Sequence, residues 1–196
     1  MIEICDKTPI SMHCWQGDNV IGFEKREGGL AGGIQTTGDY PGAARNADEL
    51  RADIEKARAY IPGELKVNLH ANYLEADEFV DRNEIEPEHF ENWVNWAVEK
   101  GIDLDFNPTY FSHPKSEKAA LSSSDEEIGK FWVEHGIRVR KIAEYFYKKT
   151  GKVCAINHWT GLMTEMFWTD LRILRNLKLL RSRLFGITTA KRQTRE

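Results

Sequence analysis

The sequence predicts an α/β fold with a parallel sheet, arranged as part of a barrel. Three observations carry this reading. Four short apolar runs alternate with three stretches of helical periodicity, the βα repetition that calls for parallel strands and right-handed crossovers. Glycines and prolines punctuate the runs, as expected at helix ends and strand exits. All four runs exit on His, Asn, Asp or Trp, which suits strands converging on one mouth. An open sheet usually draws on the strands at its reversal point alone.

The first run, Ile10–Trp15, ends in His13, Trp15 and Gln16. Residues 16–46 then hold eight of the fifteen glycines, a loop longer than compact domains keep without a purpose, and a lid is the natural reading. Its glycines follow neither the Walker nor the dinucleotide spacing, so it is not a phosphate cradle. Asn46 and Glu49 form a capping box for a helix with the stripe Leu50, Ile54, Ala57 and Ile61, ended by Pro62-Gly63.

The second strand, Lys66–Ala71, exits on His70. Pro87 opens the next helix, and Phe90, Trp93, Val94, Ala97 and Val98 follow the i, i+3, i+4, i+7, i+8 rule. In the third strand Ile102, Leu104 and Phe106 alternate with Asp103 and Asp105, a period of two. Its exit carries Asp105, Asn107 and His113 among the rings of Phe106, Tyr110 and Phe111. Ser124 and Glu127 form a second capping box, opening a helix of about six turns whose buried side is Ile128, Phe131, Trp132, His135, Val139, Ile142 and Phe146. Lys152–Trp159 is the fourth strand. His89 and His135 read as packed or solvated helix residues, and Cys14 and Cys154 as small core residues.

Hydrophobic content of 41% and charged content of 30% are those of a globular protein. A net charge of -4 favours neither nucleic acid nor a membrane surface as partner. Three cysteines without metal-type spacing, no apparent signal peptide and no long apolar span point to the cytoplasm.

Several longer runs recur in a fixed order: Ser11-Met-His-Cys-Trp-Gln-Gly-Asp18, Gly32-Gly-Ile-Gln35, Tyr40-Pro-Gly42, Glu49-Leu-Arg-Ala-Asp53, Asn68-Leu-His-Ala71 with Tyr73-Leu-Glu75, Glu86-Pro-Glu-His-Phe90, Leu104-Asp-Phe-Asn-Pro108 and Phe111-Ser-His-Pro-Lys-Ser116. Together they resemble the L-rhamnose isomerase family over about residues 8–159. The resemblance implies a (β/α)8 TIM barrel of which residues 1–159 are about the first four βα units. It implies an aldose–ketose isomerase that interconverts L-rhamnose and L-rhamnulose with Mn²⁺ or another divalent cation, and a homo-oligomer. Charge developing on two sugar oxygens is what such a cation would stabilise. The resemblance implies sugar contacts at His70, Trp159 and Tyr73, and apolar lid contacts at Val20, Leu30 and Ile34. Phe106 joins them as a ring at the third strand's exit. Asn72 departs from the apolar residue usual beside Tyr73, and His158 from the apolar residue usual before Trp159.

After Trp159 the motifs stop. Residues 171–196 carry eight Lys or Arg against one acid, a +7 segment that leaves -11 for the rest. The expectation is a basic tail over 160–196 outside the family pattern, from a shifted reading frame or a truncated gene model. The family's later strands, with its metal ligands, are absent from the matched motifs, so the chain by itself is expected to be inactive. The rival reading is a non-catalytic half-barrel interaction protein with a basic partner-binding tail. A metal hydrolase or lyase has support from the fold alone.

Overall fold

The computed structural model describes residues 9–13, 23, 41–42, 44–116 and 120–158. Three strands, β1 (Ile10–His13), β2 (Leu65–His70) and β3 (Asp103–Asn107), form a parallel sheet in the order β1-β2-β3. Among the described residues the strand order is sequential. The helices are α1 (Ala47–Arg58), α2 (Glu91–Lys100) and α3 (Glu126–Thr150).

Local chemistry sets the helix ends. The Asn46 side chain accepts the Glu49 amide at 2.9 Å, and Glu49 accepts the Arg45 amide at 2.6 Å, so two otherwise orphaned donors are satisfied. Helix α1 ends at Arg58, short of Ile61, in a turn of i→i+3 bonds. A 3-10 turn at Pro87–Phe90 leads into α2, and the His89 Nδ1 accepts the Glu86 amide at 2.9 Å. His89 is therefore a cap. Val98, placed on the apolar stripe by periodicity, is 55% exposed, and Trp96 is buried instead. Helix α3 is capped by Asp125, not Ser124: its carboxylate accepts the Glu127 and Ile128 amides. Gly101 and Gly151 adopt φ of 64° and 71° and end α2 and α3, a conformation that costs other residues more.

Side chains alternate across the sheet. Val67, Leu69, Leu104 and Phe106 face the helices and pack with Leu50, Ile54, Trp93, Val94, Val139, Ile142 and Phe146 in one core. The other face is polar. In register order it carries Ser11 and Lys66 beside Asp103, then His13 and Asn68 beside Asp105, then His70 beside Asn107.

The expected fourth strand is reduced to one parallel bridge, Phe106 to Ile156, with Phe106 N–H on Ala155 O at 2.8 Å and Asn157 N–H on Phe106 O at 2.9 Å. Side chains explain the shortening. The Ala155 N–H donates to Asp105 Oδ1 at 2.8 Å and the Val153 carbonyl accepts from Lys66 Nζ at 3.0 Å, so the groups that would extend the ladder are already engaged. The other oxygen of Asp105 accepts from Ser11 Oγ at 2.8 Å, and Lys66 Nζ lies 2.6 Å from Oδ1.

The Lys66–Asp105 pair is largely buried, with side chains 18% and 8% exposed. Removing one member strands the other charge, whereas replacing both removes the demand. Asp105→Ala is expected to cost about 3 kcal/mol, and the double change Asp105→Leu with Lys66→Met clearly less. Urea midpoints of the two variants check this.

Candidate functional site

All three strands end on the same kind of residue: His13, His70 and Asn107 close β1, β2 and β3 on the polar face. The His13 Nδ1 lies 3.5 Å from His70 Nε2, and the rings meet edge-on with centroids 5.8 Å apart. Tyr73 and Phe111 complete the surround of His70, at 5.9 and 6.4 Å between centroids. Tyr73 is buried; its carbonyl accepts the Trp93 indole N–H at 2.9 Å, so helix α2 fixes its backbone. Phe23 packs on Tyr73 at 5.1 Å and donates its amide to the Asn72 carbonyl at 2.8 Å. The glycine-rich loop thus touches the mouth at Phe23. Asn72 is itself fully buried.

Burial, reinforced by His13 and Arg82, pushes His70 down to about 3, so the ring is neutral at pH 7. It can donate one hydrogen bond and accept one.

The segment after β3 is held in an uncommon backbone. Thr109 and Ser112 have φ of 54° and 53°, and a β-branched residue there is an outlier. The structure around them offsets that cost. The Thr109 carbonyl accepts from the buried Arg82 guanidinium, and the Pro108 carbonyl lies 2.6 Å from His135 Nε2. His135 Nδ1 lies 2.7 Å from the Arg82 carbonyl. Burial, with Arg82 adding to it, pushes His135 down to about 3 against these carbonyl contacts, which favour the charged ring. His113 Nε2–H donates to Asp81 at 2.8 Å, and its Nδ1 accepts the Lys115 amide at 3.0 Å. Burial would raise the Asp81 carboxyl, but the bonds from His113 and the Arg82 amide outweigh it and hold Asp81 well below the usual carboxylate range. His113 and His135 therefore brace the loop. Tyr110 is buried with them; its hydroxyl lies 3.1 Å from His158 Nδ1, and the two rings stack.

Of the sequence-derived site residues, the structure brings His70 and Tyr73 together. Phe106 is corrected. It sits on the helix side of β3, edge-on to Phe90 and Phe146 at 5.2 and 5.5 Å, because it shares its face with Leu104 and not with Asp105 and Asn107. Val20, Leu30, Ile34 and Trp159 lie outside the described residues, as does the tail 160–196. Phe23 and Phe111 are mouth residues that periodicity could not single out.

A model of the L-rhamnose isomerase (RhaA) family matches residues 1–188, past the Trp159 limit read from the motifs. The chain belongs to the L-rhamnose isomerase family. It is 60% identical over 169 residues to an L-rhamnose isomerase of Mannheimia succiniciproducens, covering 86% of this chain and 40% of that protein. A Listeria monocytogenes protein of the same name is 57% identical over 151 residues, covering 76% of this chain and 36% of its own. A third, from Salmonella gallinarum, is 55% identical over 155 residues, covering 79% and 37%. The chain thus spans about two fifths of the curated relatives it matches. The family's name is that of an isomerase.

A divalent cation needs several oxygen or imidazole ligands converging on one point. Among the described residues no group of three or more His, Cys, Asp or Glu does so. Asp105 is taken by Lys66, Ser11 and Ala155. The described residues therefore do not fit such a cation.

Two outcomes follow from the geometry. The folded-state pKa of His70 lies below the ordinary 6.5, so the unfolded chain takes up its proton first as pH falls. The stability it contributes is full above about pH 6.5 and is lost progressively towards pH 3. Ring-nitrogen NMR is expected to show His70 neutral throughout the fall from about pH 8 to about pH 5; a midpoint near 6.5 would mean an open ring. Phe106→Leu is expected to lower stability by about 1 kcal/mol, read by thermal melting.

Proposed function

We propose that this chain supplies the sugar-receiving part of an enzyme that interconverts L-rhamnose and L-rhamnulose. Its strands are the first units of a (β/α)8 barrel. One observation carries the reading: in a chain of this family, consecutive parallel strands present His13, His70 and Asn107 at one end, walled by Tyr73 and Phe111. Sequential strand order and polar exits are how barrels build a mouth. A neutral sugar needs hydrogen-bonding groups for its hydroxyls and rings for its apolar faces, and this mouth offers both.

In that reading His70 meets a sugar hydroxyl through its neutral ring, and Tyr73 and Phe111 close the wall around it. Trp159 joins them from the fourth strand's exit, and Val20, Leu30 and Ile34 from the loop that Phe23 anchors. Isomerisation moves hydrogen between C1 and C2 of the open sugar. The part of the described residues is to bind, orient and exclude water. The divalent cation, Mn²⁺ by the family resemblance, is held by groups other than these. The chain works in the cytoplasm, and as a homo-oligomer when the barrel is whole.

L-rhamnose is expected to bind the purified chain weakly in ligand-observed NMR, and His70→Ala to weaken it about tenfold, the loss of one good hydrogen bond plus ring packing. Incubation with Mn²⁺ and L-rhamnose is expected to give no ketose. Ketose formed by this chain alone would overturn the division of labour, and binding unaffected by His70→Ala would overturn the site.

A further inference from the structure

Asn107 is the last residue of β3, is 1% exposed, and lies in register with His70 on the polar face. Its Oδ1 accepts the Thr109 amide at 2.9 Å. Only the oxygen of a carboxamide can accept from an N–H, so this bond fixes which end of the side chain is which. The Nδ2 is therefore the end that Thr109 does not hold, and among the described residues it is buried and meets no acceptor. A buried donor left in that state costs free energy unless something supplies an oxygen.

The orientation is built in from behind. Thr109 holds its left-handed φ of 54° with its carbonyl on Arg82, and its hydroxyl lies 3.2 Å from both the Ala71 amide and the Asn107 carbonyl. The exits of β2 and β3 are thereby tied to one threonine, and the Thr109 amide is aimed at Asn107. One row deeper on the same face, Asn68 Oδ1 is a buried acceptor that also meets no donor among the described residues. An unused donor and an unused acceptor flanking a neutral imidazole match a ligand whose hydroxyls both give and take hydrogen bonds.

We infer that Asn107 is a further substrate-binding residue, whose side-chain amide donates to a hydroxyl oxygen of an uncharged sugar seated beside His70. The inference rests on the sugar-binding reading of the mouth. It assigns Asn107 a discriminating role, because a site built to bond a hydroxyl rejects the analogue lacking it more strongly than an apolar wall does.

The test is a titration of the ¹⁵N-labelled 196-residue chain with L-rhamnose, following the side-chain amide of Asn107 by triple-resonance assignment. The Asn107 amide signals are expected to move saturably with the midpoint of sugar binding. Asn107→Asp keeps the acceptor for Thr109 and removes the donor; it is expected to weaken binding about threefold to tenfold. If the sugar binds while the Asn107 amide stays still and the Asp variant binds equally well, this inference is overturned and the sugar-binding reading stands. If the unaltered chain shows no binding, that reading falls and the inference with it. Should the Asp variant fail to fold, the amide shift in the unaltered chain decides alone.

Discussion

One carboxylate holds the polar face together. Asp105 takes a hydroxyl from β1, an ammonium from β2 and a backbone amide from the segment beside β3. Hydrophobic packing behind the sheet forbids a slip of one residue but leaves the apolar face intact after a slip of two. Asp105 discriminates there, since such a slip would part its carboxylate from Ser11 and Lys66 and leave the charge unpaired. The register in turn decides that His13, His70 and Asn107 stand on the same face at the same end. The mouth thus depends on an ion pair that takes no part in it.

The loop after β3 applies the same logic at closer range. Two residues with left-handed backbone, Thr109 and Ser112, put Tyr110 and Phe111 under the mouth. Such a backbone persists when its neighbours over-determine it. Here Arg82 and His135 grip successive carbonyls, and Asp81 fixes the His113 ring. These groups come from the β2–α2 connection and from α3, so two separate crossovers converge on one loop. Its positions are set by rigid elements, the usual requirement for a precise site.

The period-two alternation of β3 and the helical stripe of α3 were legible in the sequence because burial on one face is what periodicity records. The exits on His13, His70 and Asn107 were legible for the same reason. The same alternation puts Phe106 with Leu104, opposite Asp105 and Asn107, so its nearness to the strand's exit was a misleading sign of contact with the mouth. The fourth strand looked like any apolar run; its shortening comes from Lys66 and Asp105, side chains 87 and 50 residues away from the groups they engage. Asp125 in place of Ser124 is a choice between two adjacent residues that both cap well. The bracing roles of Arg82, His113 and His135 lay out of reach, because carbonyl contacts between distant segments leave no periodic trace.

Charge completes the account of what the mouth can take. Lys66 and Asp105 neutralise each other one row and more below the exits, and Asp81 is engaged by His113 and Lys115 behind the loop. Arg82 is buried beneath Thr109, where its charge helps to keep His70 uncharged. Burying a charged ligand beside His70 is costly unless it meets a partner of opposite sign, and the Lys66 and Asp105 charges already engage each other. A neutral polyol meets no such penalty, and each hydroxyl it brings can exchange water for a fixed donor or acceptor. The ion pairs buried below and behind the exits are in keeping with the uncharged sugar proposed above, which needs no partner of opposite charge.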